Sequence, residues 1–377
     1  MEGSPASTLV TISDLEGLEE LASSWDNFVL SQGASPFLLS GYVKYYMMRC
    51  KVEGWTPVLL VETSDSGITG IGAFKTRRRM GVKTAEFLLS VPYSSDFLAD
   101  VKSEGPFITE CMEALFGKQG CQLAELILPS GSPHVDSLRR WSRFRGIGFH
   151  SLPPRKLLKH SVLPVQGTWE GFVRSRGREF ARHYAKIERK LGENGTQSLV
   201  SEEINGPEVG SAIVELDGRS WKEEYRRDAG RTFDPDLELL TGYWKRASPV
   251  GLRALPRAYF LELDGRPIAF AIAVILGRTA YLVKTSYDAH FAKLYPGDLI
   301  QNYVVRDMFQ SGRVTLVDFL TKLPYHRRWT SVYRDRERVR LTKVGLLAAL
   351  LMMTDSNRTG SRLSKLMLSR LTIIDIP

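Results

Sequence analysis

The chain has 377 residues and a formal net charge of +9 at pH 7. That length exceeds what one hydrophobic core usually organises and predicts two domains. The positive charge favours anionic partners such as phosphates, nucleic acid or a membrane surface. The three cysteines are odd in number and form no CxxC pair, which argues against a disulfide framework or a cysteine-built zinc site.

Targeting and metal signals are weak in this sequence. The N-terminus lacks a basic segment followed by an apolar run, so we expect no signal peptide and a cytoplasmic location. The longest apolar run, 344–353, is about half of what a membrane span needs. The six histidines show no HxxxH or HExxH spacing, so we expect no metal.

The first 150 residues predict helices followed by a strand meander with interposed helices, which is an α+β pattern. The expected elements are a strand at 8–12, helices at 14–30 and 36–48, a hairpin of 57–63 and 68–75, a strand at 84–91, a helix at 107–118 and a strand at 123–129. Pro153-Pro154 breaks both element types and predicts a linker at 151–164.

The second half repeats this plan. The expected elements are a helix at 168–192, a strand at 197–202, helices at 207–225 and 235–246, a hairpin of 258–263 and 268–276, a strand at 279–285, a helix after 297 and a strand at 314–320. Asp264-Gly265 between two apolar runs is a strong hairpin signal. Since both halves share one order of elements, the sequence predicts a duplicated fold.

The C-terminal segment 343–377 alternates basic and apolar residues. This pattern predicts a basic amphipathic helical tail. Such a helix either docks on the preceding domain or lies peripherally on an anionic membrane.

The helix expected after Pro296 begins shortly after a strand. Gly297 would permit close backbone approach, and the free N–H groups of a helix start favour a phosphate. A simple turn explains Pro296-Gly297 equally well, and Asp298 would repel an anion placed beside it. The pattern leaves an anion site and an ordinary turn open.

Three arginines, Arg174, Arg178 and Arg182, follow at four-residue spacing in the predicted helix 168–192. Like charges at this spacing repel weakly, and nothing structural requires them. The row is therefore either an anion-binding surface or a solvated helix face.

Four further side chains could carry polar chemistry. Asp318 lies in an apolar strand, so it stands near the strand end or is buried with a partner. Tyr325 stands before a basic run and is either a general acid or an interface residue. Asp288 stands at a strand end and is either a proton acceptor or a turn former. Asp96 caps its own loop, or reaches the substrate cleft if the two halves face one another.

Taken together, these residues resemble the acetyltransferase domain family of the cellulose-biosynthesis CelD/BcsL type, within the GNAT superfamily. The matching positions are Trp169, Phe172, the basic helix 174–191, Trp221, Ala269, Tyr287, Asp288, Pro296, Gly297, Gly312, Asp318, Phe319, Tyr325 and Trp329. Ser95-Asp96-Phe97 with Asp100 looks like the Ser-Asp-Tyr loop of the family's first half. The resemblance covers nearly the whole chain up to about residue 340.

This resemblance implies two tandem GNAT-like domains, each with a mixed, mainly antiparallel sheet flanked by helices. The first, 1–150, would be a degenerate copy, and the second, 165–342, would be an acyl-CoA-dependent N-acyltransferase. It would move an acyl group, in the first place acetyl, to an amine of a small molecule or of an envelope or polysaccharide precursor.

The resemblance also implies roles for individual residues. The pantetheine would lie along the strand near 280–285 and the pyrophosphate near Gly297. Tyr325 would protonate the departing thiolate, and Asp288 or a water would take the amine proton. The residues expected to contact the donor are Lys284, Thr285, Pro296, Gly297 and Arg327. Those expected to contact the acceptor are Asp96, Arg178, Arg182 and Asp318.

Departures from the family pattern keep other functions open. Lys322 stands where the family usually has glycine, His326 stands where lysine is usual, and the Arg/Gln-x-x-Gly-x-Gly/Ala signature is missing around Gly297. The doubled fold is also similar to FemAB-type transferases, which use aminoacyl-tRNA, and the arginine row suits an RNA backbone. A third alternative is a non-catalytic module that binds polysaccharide, membrane or a partner.

Overall fold

The computed structural model describes residues 7–79, 81–89, 96–100, 104–152, 159–220, 222 and 235–343. The described residues form two β-sheets, of eight and seven strands, flanked by helices. Both sheets are mainly antiparallel, which confirms the predicted α+β class. Within the described residues, no helix is both long and apolar enough to cross a membrane.

The first sheet takes seven strands from the first half of the chain and one from its end. The seven are β1 Thr8–Ile12, β2 Thr56–Ser64, β3 Gly67–Arg79, β4 Val82–Phe87, β5 Leu98–Ala99, β6 Leu123–Pro129 and β7 Gly148–Leu152. The eighth, β15, is Arg336–Thr342. The order is β1-β2-β3-β4-β6-β15-β7, with β5 also paired to β3. Only β4 and β6 pair in parallel within this sheet.

Helices flank this sheet. They are α1 Leu15–Ser31, α2 Ser40–Val52, α3 Glu104–Glu113 with a π-helical continuation Ala114–Lys118, and α4 Pro133–Arg145. Local capping chemistry sets their ends. The Asp14 carboxylate accepts the N–H of Gly17 at the start of α1, and Gly146 ends α4 in the left-handed conformation.

The second sheet has the order β14-β8-β13-β12-β11-β10-β9. Its strands are β8 His160–Pro164, β9 Gln197–Glu203, β10 Pro256–Leu263, β11 Arg266–Leu276, β12 Thr279–Tyr287, β13 Leu316–Asp318 and β14 Tyr333–Arg334. Here β12 and β13 form the parallel pair. As in the first sheet, four successive antiparallel strands end in one parallel neighbour, so the two halves share a topology.

The helices of the second half are α5 Trp169–Arg176, α6 Arg178–Gly192, α7 Pro207–Gly218, α8 Pro235–Gly242 and α9 Pro296–Ser311. The helix predicted at 168–192 is broken into α5 and α6 at Gly177, whose φ of 88° is unfavourable for other residues. Arg174 therefore lies on a different helix from Arg178 and Arg182, and the predicted row of three is not continuous.

Two boundaries differ from the sequence prediction. The segment 151–164, expected to be a linker, contains the end of β7 and the whole of β8, which joins the second sheet. β15 falls inside the expected second domain, yet it pairs with β6 and β7 of the first sheet. Arg338 and Arg340 on β15 bind the Glu125 carboxylate of β6 at 3.1 and 2.6 Å. The predicted tail from 344 onward lies outside the described residues.

One hydrophobic core joins the two halves. It combines buried residues of α1, α2 and β2 with residues of α7, α8, β10 and β11. The rings of Tyr42 and Tyr243 stack across it with centroids 4.0 Å apart. A Cβ on Gly41 would lie 2.5 Å from the Tyr243 ring, so a glycine is needed for this approach. The described halves therefore pack as one body.

Candidate functional site

Strand β12 extends well beyond its short parallel neighbour β13. They pair only at Thr279, Ala280 and Tyr281, and no described strand pairs with that edge of β12 beyond Tyr281. At that free edge the carbonyl of Thr285 accepts a hydrogen bond of 2.7 Å from Lys222 Nζ. A strand edge of this kind offers backbone donors and acceptors to a ligand.

A β-bulge lies in β12 just beyond the residues paired with β13. In the pairing of β11 with β12, Ile272 opposes Lys284 while Ala273 opposes Leu282, so Val283 is the extra residue. A bulge bends and twists its strand, and it reverses the alternation of side chains between the two faces. As a result, Thr285 and Tyr287 face α9, whereas Lys284 faces α7.

The start of α9 stands opposite this free edge. Tyr295, with a φ of 55°, precedes Pro296, which is buried and has no N–H. The N–H groups of Asp298 and Leu299 both return to the Tyr295 carbonyl at 3.1 and 3.2 Å. Among described backbone carbonyls, none accepts the N–H of Gly297. This group is therefore the free donor of the first turn.

A cavity of about 260 Å³ lies between the free edge of β12, the start of α9 and the short helix Pro324–Arg328. Its lining residues are Lys222, Thr285, Tyr287, Ala292, Tyr295, Gly297, Asp298, Gln301 and Tyr325. Three residues predicted separately from sequence, Thr285, Gly297 and Tyr325, meet here. The cavity is the candidate active site.

Tyr325 is 40% exposed and its ring lies edge-on to His326, with centroids 4.6 Å apart. Burial, and secondarily the charge of Asp298, raise the pKa of the Tyr325 phenol to about 12. The phenol is therefore protonated at neutral pH and can donate a hydrogen bond into the cavity.

Asp298 is held by a basic network. Its carboxylate pairs with Arg328 and lies 3.2 Å from His183 Nε2. The guanidinium of Arg176 donates to the carbonyls of Arg327 and Arg328, both at 2.8 Å. These contacts fasten the helix that carries Tyr325 to α5 and α9, and they offset the negative charge beside Gly297.

Lys284, expected to contact the donor, faces away from the cavity. Its Nζ lies 3.2 Å from Asp217 Oδ2 of α7, and the two side chains are 7% and 1% exposed. Because the bulge at Val283 turns this side chain to the other face of the sheet, a buried ion pair replaces the predicted donor contact.

Asp288, predicted to accept the amine proton, is fully buried and bound by other groups. Its carboxylate caps the short helix Ala289–Leu294 through the N–H of His290 and pairs with Arg219 and Arg266 at 3.0 and 3.2 Å. Burial alone would raise the Asp288 pKa, but hydrogen bonds from the His290 backbone and ring and the Arg219 charge outweigh it and lower that pKa. These contacts correct the predicted role, since Asp288 does not line the cavity and holds its proton weakly.

Asp318, predicted to contact the acceptor, is also structural. It is 4% exposed, it accepts the N–H of Leu320 at 2.7 Å, and it lies 3.4 Å from His160 Nδ1. Leu320 has a φ of 58°. Asp318 thus supports a strained turn at the end of β13, which corrects the predicted substrate contact.

Asp96, the other predicted acceptor contact, lies in the first half. Its carboxylate contacts His134 Nδ1 at 2.6 Å and accepts from Ser132 at 3.2 Å. His134 Nε2 lies 3.4 Å from Glu104. This cluster fastens the loop to α3 and α4, and Asp96 does not line the cavity, so the predicted reach into the substrate cleft is not seen.

The basic residues that were expected to contact the ligands are exposed. Arg178 and Arg182 on α6 and Arg327 on the short helix form no side-chain ion pair with a described residue. They stay available to an anionic group, as does Lys186 on the exposed side of α6.

Three residues of this region have no role predicted from the sequence. Lys222 and Gln301 line the cavity, and Asp217 neutralises Lys284. Gln301 could have been found from its spacing, because a residue four positions after Gly297 lies on the same side of the predicted helix. The three cysteines are buried and free, and no described group of His, Cys, Asp and Glu side chains is arranged to hold a metal.

Comparisons with known proteins agree with this geometry. Residues 178–328 match the family model described as acetyltransferase (GNAT) domain. No curated protein matches the sequence.

Three solved structures share the fold over most of the chain. The C-terminal domain (DUF2156) of an Agrobacterium fabrum protein assigned as a lysylphosphatidylglycerol synthetase is 11% identical, covering 90% of this chain and 96% of its own, with a TM-score of 0.54. FemX is 11% identical, covering 88% and 96%, with a TM-score of 0.54. L-PGS from Bacillus licheniformis is 9% identical, covering 89% and 95%, with a TM-score of 0.54. At such identities the likeness concerns the fold alone. The chain has two tandem GNAT-like folds, and residues 178–328 of the second half match the acetyltransferase (GNAT) domain model.

Proposed function

We propose that this protein is an N-acyltransferase that moves an acyl group from acyl-CoA to an amine. The extension of β12 beyond the end of β13 at Tyr281 carries this proposal, because it leaves a free strand edge at the cavity. The free N–H of Gly297 and the positive end of α9 would attract the donor's phosphates. The exposed Arg327 would add positive charge near that end.

The reaction would use few protein groups. Coenzyme A supplies the acyl group as an activated thioester, which the amine attacks directly. The Tyr325 phenol would hydrogen-bond the departing thiolate and transfer its proton as the thiolate leaves. Since Asp288 is bound by Arg219, Arg266 and His290, water would take the amine proton.

The acceptor class rests on sequence resemblance. We propose an amine on a small molecule or on an envelope or polysaccharide precursor, as the resemblance to the CelD/BcsL type implies. We also propose that the enzyme is cytoplasmic and that its basic tail, 343–377, lies on a membrane surface.

Titration calorimetry with CoA and acetyl-CoA tests the donor. We expect one binding event per chain, and loss of affinity in Gly297→Ala, whose added Cβ would lie 2.8 Å from the Tyr287 ring. If neither compound binds, the acyl-CoA proposal fails. Release of free thiol from acetyl-CoA in the presence of candidate amines then identifies the acceptor.

A second candidate is an aminoacyl-tRNA-dependent transferase. The exposed Arg178, Arg182 and Lys186 on α6 favour it, because such a row suits a nucleic-acid backbone. FemX and L-PGS share the fold. A shared fold is compatible with an aminoacyl-tRNA donor, but it does not favour this donor over acyl-CoA. Binding of bulk tRNA that weakens steeply with salt, together with no CoA binding, would support this candidate over the first.

A further inference from the structure

One end of the first sheet brings together several connections that are distant in the sequence. They join α2 to β2, β3 to β4, the π-helical turn to β6 and α4 to β7. β15 ends at the same place, because Thr342 pairs with Gly148, the first residue of β7. The Lys343 N–H donates to the Gln122 carbonyl and the Gln122 N–H to the Lys83 carbonyl, both at 2.8 Å. These connections therefore lie side by side.

This end of the sheet carries positive charge. Its exposed basic residues, which we call the basic end, are Lys51, Arg78, Arg79, Lys118, Arg143 and Lys343. The acidic residues nearest to them in sequence, Glu53 and Glu113, are each paired with an arginine, at 3.2 Å to Arg49 and 2.6 Å to Arg145. Arg79 and Arg143 form no ion pair with any residue that the structure describes. Their charges are therefore available to an anionic partner.

Two exposed apolar side chains stand at the same end. Val52, the last residue of α2, is 78% exposed, and Phe144, near the end of α4, is 82% exposed. The next most exposed large apolar side chain of the described residues is Tyr295, at 56%. Because α2 and α4 pack on opposite faces of the first sheet, Val52 and Phe144 lie on either side of its end. Such a pair beside basic residues fits a partner with both anionic and apolar parts.

An anionic membrane has both parts. Lipid phosphates attract basic residues, and apolar side chains enter the boundary between headgroups and acyl chains. A nucleic-acid backbone would match the charges alone, since it has no apolar layer for Val52 to enter. The six neighbouring strands from β2 to β7 also span about 24 Å, which favours an extended surface over a small anion.

We propose that the basic end of the first sheet docks on an anionic membrane. Val52 and Phe144 enter the membrane interface, and Arg79 and Arg143 face lipid phosphates. The tail predicted to be basic and amphipathic, 343–377, begins at this end with Lys343, so one membrane surface serves both. The inference extends the membrane contact proposed above from the tail to the folded body, and it is independent of acyl transfer.

Sedimentation with vesicles tests the charged part of the surface. Wild-type protein should bind vesicles of two parts phosphatidylcholine to one part phosphatidylglycerol, less so as salt rises, and bind phosphatidylcholine alone weakly. Arg79→Gln/Arg143→Gln should weaken binding to the mixed vesicles about 20-fold, because each basic side chain at an anionic surface contributes about fivefold. Arg278→Gln/Arg313→Gln removes two exposed arginines of the second half and should leave binding nearly unchanged.

A second pair of variants tests the apolar part. Val52→Ser/Phe144→Ser should weaken binding to the mixed vesicles at least about tenfold, since neither side chain then enters the interface. The matched control is Val214→Ser/Val332→Ser, which replaces two side chains of the second half that are 45% and 48% exposed. It should bind the vesicles as wild type does. Val52→Ser/Phe144→Ser should keep the wild-type melting temperature, because the side chains that it replaces are exposed.

Other results would overturn the proposal. Wild-type protein that does not bind the mixed vesicles excludes the docking surface. Binding that neither surface variant weakens belongs to the tail alone, and equal losses in the arginine variant and its control assign binding to net charge. Binding of bulk tRNA that Arg79→Gln/Arg143→Gln weakens, without vesicle binding, makes nucleic acid the partner. Vesicle binding is measured without acyl-CoA, so a failure of the proposed donor would leave this surface standing.

Discussion

The ring of Tyr287 occupies the place where a side chain on residue 297 would begin. A Cβ on Gly297 would lie 2.8 Å from Tyr287 Cδ1, closer than such atoms approach in proteins. The glycine at the start of α9 is therefore explained by the packing of α9 on β12. Its free N–H is available to a ligand because of this packing, which brings the helix start against the cavity.

Gly297→Ala should destabilise the protein by about 1–3 kcal/mol, because the ring of Tyr287 or the start of α9 must move. Urea unfolding measures this change. The double variant Tyr287→Ala/Gly297→Ala should cost less than the sum of the single changes, since the clash is absent.

Gly192→Ala is a suitable control for this experiment. Gly192 is the last residue of α6, and a Cβ there would have no heavy atom within 4 Å. Its replacement should leave stability unchanged or raise it slightly, because alanine favours the helix. If Gly297→Ala proved as stable as Gly192→Ala, the Tyr287 ring would move aside at no cost in folding free energy.

The sequence predicts the strand and the helices that surround the cavity. It does not predict which face of the sheet each side chain of the strand lies on. Gly297 and Tyr325, predicted from a helix start and a basic run, converge with Thr285, which only the family resemblance implied. Lys284 was grouped with Thr285, although a bulge at Val283 sends the two side chains to opposite faces. A bulge changes the register by one residue and leaves little trace in the hydrophobic pattern.

Lys284→Met should therefore impair folding while sparing ligand binding. Removing one partner of a buried ion pair leaves the other charge uncompensated, which costs about 3–5 kcal/mol. Lys284 and Asp217 are both almost inaccessible. Chemical unfolding should show the loss, and calorimetry on the folded fraction should show unchanged CoA affinity.

The double variant Asp217→Leu/Lys284→Met tests the pairing itself. It should recover part of the stability lost in either single variant, because no unpaired charge remains buried. A large loss of CoA affinity in Lys284→Met at unchanged stability would instead support the donor contact expected from sequence.

The sequence does not predict which strands, distant along the chain, pair with one another. β15 follows the second half in the chain, and its alternation of arginine with apolar residues fits a strand of either sheet. Its backbone pairing with β6 and β7, and the contacts of Arg338 and Arg340 with Glu125 on β6, place β15 in the first sheet. Local patterns predict that a strand exists, whereas its neighbours depend on contacts across the fold.

Tyr325→Phe should lower kcat at least tenfold and leave the KM for the acyl donor nearly unchanged. The phenol is proposed to act on the leaving thiolate, and general acids typically contribute about 100- to 10,000-fold. Since its pKa is about 12, the wild-type rate should show no loss from tyrosine ionisation between pH 7 and 9. Steady-state rates of thiol release across this range provide the measurement.

Tyr333→Phe is the control for this substitution. Tyr333 lies on β14 under Lys322 and does not line the cavity. Its replacement should leave kcat unchanged. If Tyr325→Phe retains full activity, the leaving thiolate departs without this phenol and Tyr325 is not the general acid.

The first half should make its own contribution to the pH dependence of stability. Burial lowers the His134 pKa, but the hydrogen bond to Asp96 and the charges of Asp96 and Glu104 outweigh it and raise that pKa above its ordinary value. A histidine whose pKa is raised by folding stabilises the protein fully below its unfolded pKa of about 6.5. This contribution is lost as the pH rises through the folded pKa.

His134→Asn should therefore destabilise the protein more at pH 5.5 than at pH 8.5, as measured by urea unfolding at both values. His326 is the opposite case, because burial lowers its pKa to about 4. Its contribution to the free energy of unfolding is therefore present above pH 6.5 and is lost as the pH falls. His326→Gln should thus shrink the acid destabilisation that His134→Asn enlarges. Equal losses at both pH values for His134→Asn would mean that the imidazole is neutral in the folded protein and that the Asp96 contact is an uncharged hydrogen bond.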